Sequence, residues 1–219
     1  MNWKRWALVG YLVVLMAFTA LVLLIPGEKY DTLTTSDSGW FYGIAREYDN
    51  ANGVVLKYSL SHAPGGFPVP TANQAQPLLA VMLHRAVSAV RPSTSLMDVV
   101  RYWSPLIFAL TIIPIFLIGR ELAGDFAGCA AAFFFAVLGN AFSYISGPNY
   151  WMKIGAFDHD TLDLILTAWT IFLIIKLFRA PRKSIPVYAV LTGLVYGLFG
   201  LSWGVGAFYL SPIVVGGLL

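Results

Sequence analysis

From Trp6 to Ile25 the chain runs for about 20 residues without a charge, enough helix to cross a hydrocarbon core of ~30 Å. Lys4 and Arg5 precede this run and Pro26-Gly27 closes it. Four further apolar stretches follow. They are 102–119, with Pro105 and Pro114; 126–146, rich in Ala and Phe; 161–178, interrupted before Lys176 only by Asp163; and 185–219, too long for one span. The last turns near Ser202-Trp203-Gly204, giving a fifth span at 185–201 and the start of a sixth at 205–219. Lipid leaves backbone polar groups no partner outside the segment, so each span must be a helix. The predicted fold is an all-α polytopic transmembrane bundle. Composition agrees: 58% of residues are apolar and 11% charged, against roughly 45–50% and 25% in soluble domains.

The first span is longer than the ~7–15-residue core of a signal peptide, and no clear small-x-small cleavage site follows it. It reads as a signal anchor, its positive flank keeping the N-terminus cytoplasmic. Segment parity then puts 27–101 and 147–160 outside and 120–125 and 176–184 inside. The 176–184 loop carries Lys176, Arg179, Arg182 and Lys183 and no acid, as a cytoplasmic loop should. The net charge of +3 is too small and scattered to suggest nucleic acid. The single cysteine, Cys129, excludes an internal disulfide and a Cys-based zinc site.

The external loop 27–101 is far longer than a connector and is expected to be functional. Over 38–50, Trp40, Phe41, Ile44, Ala45 and Tyr48 share one helical face, opposite Arg46, Glu47 and Asp49. Over 75–91, Leu78, Leu79, Met82, Leu83, Ala86, Val87 and Val90 form a second stripe. The segment from His62 to Pro70 reads as loop, because its Pro and Gly deny helix and ladder bonds. The two helices either lie on the bilayer as a collar or pack on each other above the spans. Trp40, Trp103 and Trp151 are expected in the interfacial aromatic belt.

Charge is scarce, so acids gathered at one membrane face need a reason. Asp158-His159-Asp160 stands at the mouth of the fourth span, and Asp37 just beyond the first. Parity places both outside, although 121 positions separate Asp37 from Asp158. A helix N-cap would account for either Asp37 or Asp158, and Asp160 and Asp163 would suit the positive end of the helix dipole. Yet one cap needs one acid, and Asp158, Asp160 and Asp163 crowd a single turn. A hard divalent cation would relieve their repulsion. At i and i+1, His159 is expected to point away from its flanking acids, a neighbour more than a ligand. Asp163, a turn deeper, is expected outside the ligand set. Lys153 reads as a solvated interfacial lysine, with a phosphate contact as the alternative. No Walker loop, GxSxG or Gly-rich nucleotide fingerprint is present.

These residues resemble a known family. Ser36-Asp37-Ser38-Gly39-Trp40-Phe41-Tyr42-Gly43-Ile44-Ala45-Arg46-Glu47 resembles the first external-loop motif of oligosaccharyltransferase catalytic subunits, and Gly155-Ala156-Phe157-Asp158-His159-Asp160 the second. The single-subunit archaeal and bacterial enzymes are similar over essentially all 219 residues. The resemblance implies a glycosyltransferase of the GT-C type. Such an enzyme moves an oligosaccharide from a polyprenyl or dolichyl (di)phosphate carrier to Asn in Asn-x-Ser/Thr of an acceptor protein. It also implies Mn²⁺ or Mg²⁺ between the acids: Asp37 and Asp158 catalytic, Asp37, Asp158 and Asp160 on the metal, and His159, Lys153 and Asp163 at most in support or on phosphate. The membrane would be the cell membrane or the ER membrane, with the site on the external or lumenal face.

Where the family often carries an arginine, this chain has Trp151-Met152-Lys153. A later glutamate and a Trp-Trp-Asp acceptor-reading domain would lie beyond Leu219, so the chain is expected to be the N-terminal part of the transmembrane domain, inactive alone. Three other readings are another lipid-linked-sugar transferase of GT-C type, an ion-coupled transporter and a non-catalytic scaffold. A transporter needs ionisable groups near the midplane, and only Asp163 lies within a span. A scaffold leaves the clustered acids unexplained.

The topology is open to a direct check. On intact cells, a membrane-impermeant thiol reagent should fail to label Ser184→Cys; ready labelling would invert the orientation.

Overall fold

The computed structural model describes residues 3–25, 32–35, 37–61, 64–145 and 153–216. Pro26-Gly27, Ser36, His62-Ala63, and 146–152 with Trp151 lie outside the described residues. The order is α1 (Trp3–Leu24), α2 (Ser38–Asn50), β1 (Lys57–Tyr58), β2 (Phe67–Pro68), α3 (Ala75–Val90), α4 (Leu96–Ile145), α5 (His159–Arg179), α6 (Ile185–Ser202) and α7 (Gly204–Gly216). Four helical stretches are long and apolar enough to cross a membrane. Their outer faces carry exposed large apolar side chains, among them Val14 and Leu21 on α1, Phe134 and Leu138 on α4, and Val190 and Leu194 on α6. Water would not tolerate so continuous an apolar surface; lipid does.

The 50-residue α4 is two arms of a hairpin. Ala123 (φ −144°, ψ 21°) and Gly124 (φ 86°, ψ −178°) leave helical geometry, and the positive φ is one that glycine adopts without steric cost. The arms then pack antiparallel and close. A Cβ on Gly119 would sit 2.8 Å from the Ala127 carbonyl oxygen, and one on Gly128 2.8 Å from that of Phe116. Higher up, Phe108 stacks on Phe135 at 4.9 Å. Small residues let helix backbones approach, the usual source of association where no hydrophobic drive exists between helices in lipid. Helix α1 lies along this hairpin, packing Leu15 against Ile112, Phe116, Ala132 and Ala136. The Tyr11 hydroxyl donates to the Cys129 carbonyl (2.8 Å) and the Asn140 amide to Thr19 Oγ1 (3.4 Å).

At the hairpin tip Arg120 pairs with Asp125 at 2.8 Å. Lys176, in the last turn of α5, reaches Glu121 at 3.3 Å, and Arg179 donates to the Glu121 carbonyl. The two short loops that parity puts on one face are thus physically joined.

At the opposite end sits the long loop. Helix α2 packs on α3 and the tops of the spans through Phe41, Ile44, Tyr48, Val81, Val100 and Trp103. Asp49 of α2 meets His84 (3.2 Å) and Arg85 (3.3 Å) of α3. Of the two arrangements considered, the helices take the one in which they pack on each other. Two expectations fail. The 62–70 stretch is not all loop, because Phe67 and Pro68 pair with Tyr58 and Lys57 in a two-residue ladder. So short an edge asks no N–H of Pro68, and Val69 N–H donates to the Leu56 carbonyl at 2.9 Å. Trp103 is no belt residue: it is 3% exposed and packs edge-on against Phe157 at 5.8 Å.

Gly128→Ala should lower the detergent-solubilised melting temperature by several degrees, since its Cβ forces the arms apart. Gly193→Ala, with nothing within 4 Å of its Cβ, should be neutral or gain up to about 1 kcal/mol from helix propensity. Equal melting shifts in the two variants would reject the close-packed hairpin.

Candidate functional site

The short segment before α5 is built into the fold by its backbone. Ile154 N–H donates to the Leu23 carbonyl of α1 (3.4 Å), and Gly155 N–H to the Arg101 carbonyl of α4 (2.8 Å). The Gly155 carbonyl in turn accepts from Thr34 N–H of the long loop (3.0 Å). Gly155 holds φ +83°, and a Cβ there would lie 2.7 Å from the Thr32 carbonyl oxygen, so glycine is required twice over. The Ser104 hydroxyl donates to the Ala156 carbonyl (2.6 Å), and Phe157 N–H donates to the hydroxyl of Ser38 in α2 (2.7 Å). The Phe157 ring, fully buried, lies edge-on to Phe41 and Trp103.

This stitching brings the N-termini of α2 and α5 together. Asp37 and Asp158 occupy the two N-cap positions, yet neither side chain makes a capping hydrogen bond. Local sequence allowed the cap reading for both; the structure has the caps in place without the bonds. Asp37, Asp158 and His159 instead offer ligand atoms that all lie within 4.8 Å of one another. A second triad, His159, Asp160 and Asp163, meets the same limit. Asp160 therefore does not share a triad with Asp37; His159 is common to both.

His159 departs from expectation. Its Nδ1 lies 2.7 Å from Asp158 Oδ1, with Nε2 at 3.8 Å from Asp160 and 3.7 Å from Asp163. Neighbouring side chains diverge only inside a helix, and Asp158 is extended (φ −116°, ψ 151°), which turns its carboxylate back onto the imidazole. The ring is flanked by Phe41 at 5.6 Å and Trp203 at 5.8 Å. Lys153 is also corrected: it is buried at 8% exposure, not solvated, because its turn packs beneath the α1 end. Burial holds its ammonium below the ordinary lysine pKa.

Exposure grades the acids. Asp37 is exposed and Asp158 buried. The Asp160 side chain is 44% exposed and that of Asp163 9%. Asp158 Oδ1, His159 Nδ1 and both Asp163 oxygens are buried without a hydrogen-bond partner among the described residues. Ser202, at the end of α6, acts on the Asp163 carboxylate but falls short of a normal hydrogen bond. Buried polar atoms rarely go unsatisfied, and Asp158 Oδ1 and His159 Nδ1, 2.7 Å apart, are spaced as two neighbouring ligands of one ion would be. A divalent cation fits: carboxylate oxygens suit Mg²⁺ or Mn²⁺, and an imidazole in the set shifts the preference toward the later metals.

Sequence reasoning missed Ser38, Ser104 and Trp203 as parts of the site. Ser38 stood within the first motif, directly after Asp37. No local pattern marked the other two.

The described residues form a polytopic membrane helix bundle with an acid pair at two helix mouths. The family model of the oligosaccharyl transferase STT3 N-terminal domain matches residues 60–216, and the chain belongs to that family. Among solved structures it is similar to the oligosaccharyltransferase AglB of Archaeoglobus fulgidus, in complex with an inhibitory peptide and a dolichol-phosphate. That match has 19% identity and TM-score 0.79, and covers 99% of this chain and 26% of that one. The apo form of the A. fulgidus enzyme gives 18% identity and TM-score 0.77 over 98% and 26%. Its complex with Zn and sulfate gives 19% and 0.76 over 94% and 26%. The chain thus spans about a quarter of the length of these relatives. No curated protein sequence matches it.

Ser38→Ala would leave the buried Phe157 N–H unsatisfied, a cost of about 1–3 kcal/mol. We expect a lower melting temperature and weaker Mn²⁺ binding by calorimetry, since this bond ties Asp37 to Asp158. Unchanged metal affinity would show that the two acids hold their geometry without it.

Proposed function

We propose that the protein carrying this chain glycosylates asparagine. It transfers an oligosaccharide en bloc from a polyprenyl or dolichyl (di)phosphate carrier to Asn of Asn-x-Ser/Thr. The observation that carries the reading is the pairing of Asp37 with Asp158 across two helix N-termini, with neither acid used as a cap. Three neighbours support it. One A. fulgidus structure contains dolichol-phosphate and an inhibitory peptide, another an acceptor peptide with an NVT sequon, and a third Zn and sulfate.

In this reading Asp37, Asp158 and His159 would hold a divalent cation, Mn²⁺ or Mg²⁺, and Asp160, the more exposed acid of the second triad, stands beside them. The ion would neutralise charge as the phosphate-linked leaving group departs. Asp37, the exposed acid, faces the acceptor and orients its amide. Asp158, buried and pinned by the 153–158 segment, gives the site a fixed position. His159 holds Asp158 in place from within the Phe41–Trp203 sandwich, and Asp163 supports His159 from below. The two helix N-termini add positive potential for an anionic donor. The site would face the cell exterior or the ER lumen. Spanning about a quarter of the length of the A. fulgidus enzyme, the chain alone would be inactive.

In the whole gene product, Asp37→Ala and Asp158→Ala should each abolish most transfer of lipid-linked oligosaccharide to an Asn-x-Thr peptide. Asp158→Asn should do nearly the same, because an amide keeps the volume but not the charge. A capping role predicts the reverse pattern, with Asn equivalent to Asp and Ala costing only about 0.5–2 kcal/mol of stability. Chelator should silence the wild type and excess Mn²⁺ restore it. Full activity in Asp158→Asn, or indifference to chelator, would sink the metal-dependent reading.

A further inference from the structure

A cavity of about 420 Å³ opens between α3 and the first arm of α4, lined in part by Leu83, Val87, Arg91, Asp98, Tyr102 and Leu106. Its two walls have matching polarity gradients. On α3, Leu83 and Val87 stand four residues apart and share a face, and Arg91, the C-cap just past the helix, lines the same cavity. On α4, Asp98, Tyr102 and Leu106 follow one another at four-residue spacing and share a face. Both series are polar where the turn 91–95 joins the helices, and both become apolar away from it. The order runs from charge through the amphipathic tyrosine to bare hydrocarbon. A phospholipid has that order from headgroup to chain.

The turn is rigid. Thr94 N–H donates to the Arg91 carbonyl (3.0 Å). The Thr94 carbonyl accepts from Ser88 Oγ (3.3 Å) and lies 3.2 Å from His84 Nε2. The carboxylate of Asp98 is committed: it accepts from both the N–H (2.9 Å) and the hydroxyl (2.7 Å) of Ser95, whose Oγ in return accepts from Asp98 N–H (3.1 Å). This reciprocal arrangement is a capping box at the start of α4. Arg91 acts electrostatically on Asp98, but that carboxylate is already satisfied by Ser95. The Arg91 guanidinium, exposed at the cavity mouth, therefore presents positive charge there. Farther along, Tyr102 is 48% and Leu106 43% exposed, so the apolar end of the groove is open.

We infer that this groove is a binding site for a membrane glycerophospholipid, its phosphate on Arg91 and its first acyl segment between Val87, Tyr102 and Leu106. The site is separate from the acid cluster and independent of the transferase reading. A bound lipid would fill the wedge between the loop helix α3 and the membrane helix α4, fixing the angle of the α2–α3 pair over the spans.

The test is native mass spectrometry of the whole gene product in detergent, with phosphatidylglycerol, with diacylglycerol of the same chains, and with polyprenyl phosphate as competitor. Phosphatidylglycerol should be retained in preference to diacylglycerol. Arg91→Gln should weaken that retention about fivefold, the size expected for one cation beside an anionic headgroup, while Arg91→Lys retains most of it. Val87→Trp, which fills the groove from α3, should exclude the lipid without altering glycan transfer. Equal retention of the two lipids, unchanged binding in Arg91→Gln or Val87→Trp, or displacement by polyprenyl phosphate would each overturn the assignment.

Discussion

The turn at 153–156 is the joint on which the molecule depends. Through Ile154 and Gly155 it hydrogen-bonds to the end of α1, the first arm of α4 and the long loop at Thr34, and through Phe157 to α2. Each of these bonds is worth only ~0.5–1.5 kcal/mol net. Their value is geometric, because they converge on the short stretch 154–157 and fix four elements relative to the mouth of α5. Buried backbone groups must be paired, and here the partners come from elements far apart in sequence. The same accounting that satisfies the N–H groups also sets the distance between Asp37 and Asp158.

Against this joint works the electrostatics it creates. Asp37, Asp158, Asp160 and Asp163 gather around one imidazole, and several of their oxygens are buried without hydrogen bonds. Like charges in a site of low dielectric are costly. Natural proteins concentrate such unfavourable arrangements where function requires them. The aromatic frame of Phe41, Phe157, Trp103 and Trp203 excludes water from the deeper acids and leaves Asp37 and Asp160 reachable, so the cluster has a dry floor and an open rim.

Much of this was legible in the sequence, for identifiable reasons. The 3.6-residue stripe over 38–50 marks α2, because one face must meet α3 and the span tops. Polar Arg120-Glu121 interrupts an apolar run where the α4 hairpin turns, and Ser202-Trp203-Gly204 marks the break between α6 and α7. The co-location of Asp37 and Asp158 followed from topology: counting spans is enough to put two distant segments on one face. Side-chain direction was not legible. His159 was expected to turn from Asp158, but that depended on whether Asp158 was the last extended residue or the first helical one, a one-residue distinction no pattern encodes. Lys153 and Trp103 were misplaced because their burial is decided by tertiary contacts. Their residue types are equally at home at an interface.

The 121 positions between Asp37 and Asp158 also separate them in time. At ~5–20 residues per second, synthesis reaches the second acid roughly 6–24 s after the first. During that interval α1, the α2–α3 pair and the α4 hairpin can settle, each held by contacts that involve neither Asp158 nor α5. Asp37 meanwhile remains a solitary exposed carboxylate, and the membrane contains no uncompensated cluster of charge. The repulsion between Asp37 and the α5 acids arises only when α5 docks and the 153–156 turn forms its bonds, after most of the packing that opposes it is in place. The order of the elements along the chain therefore defers the least favourable step of assembly until the surrounding scaffold can bear it.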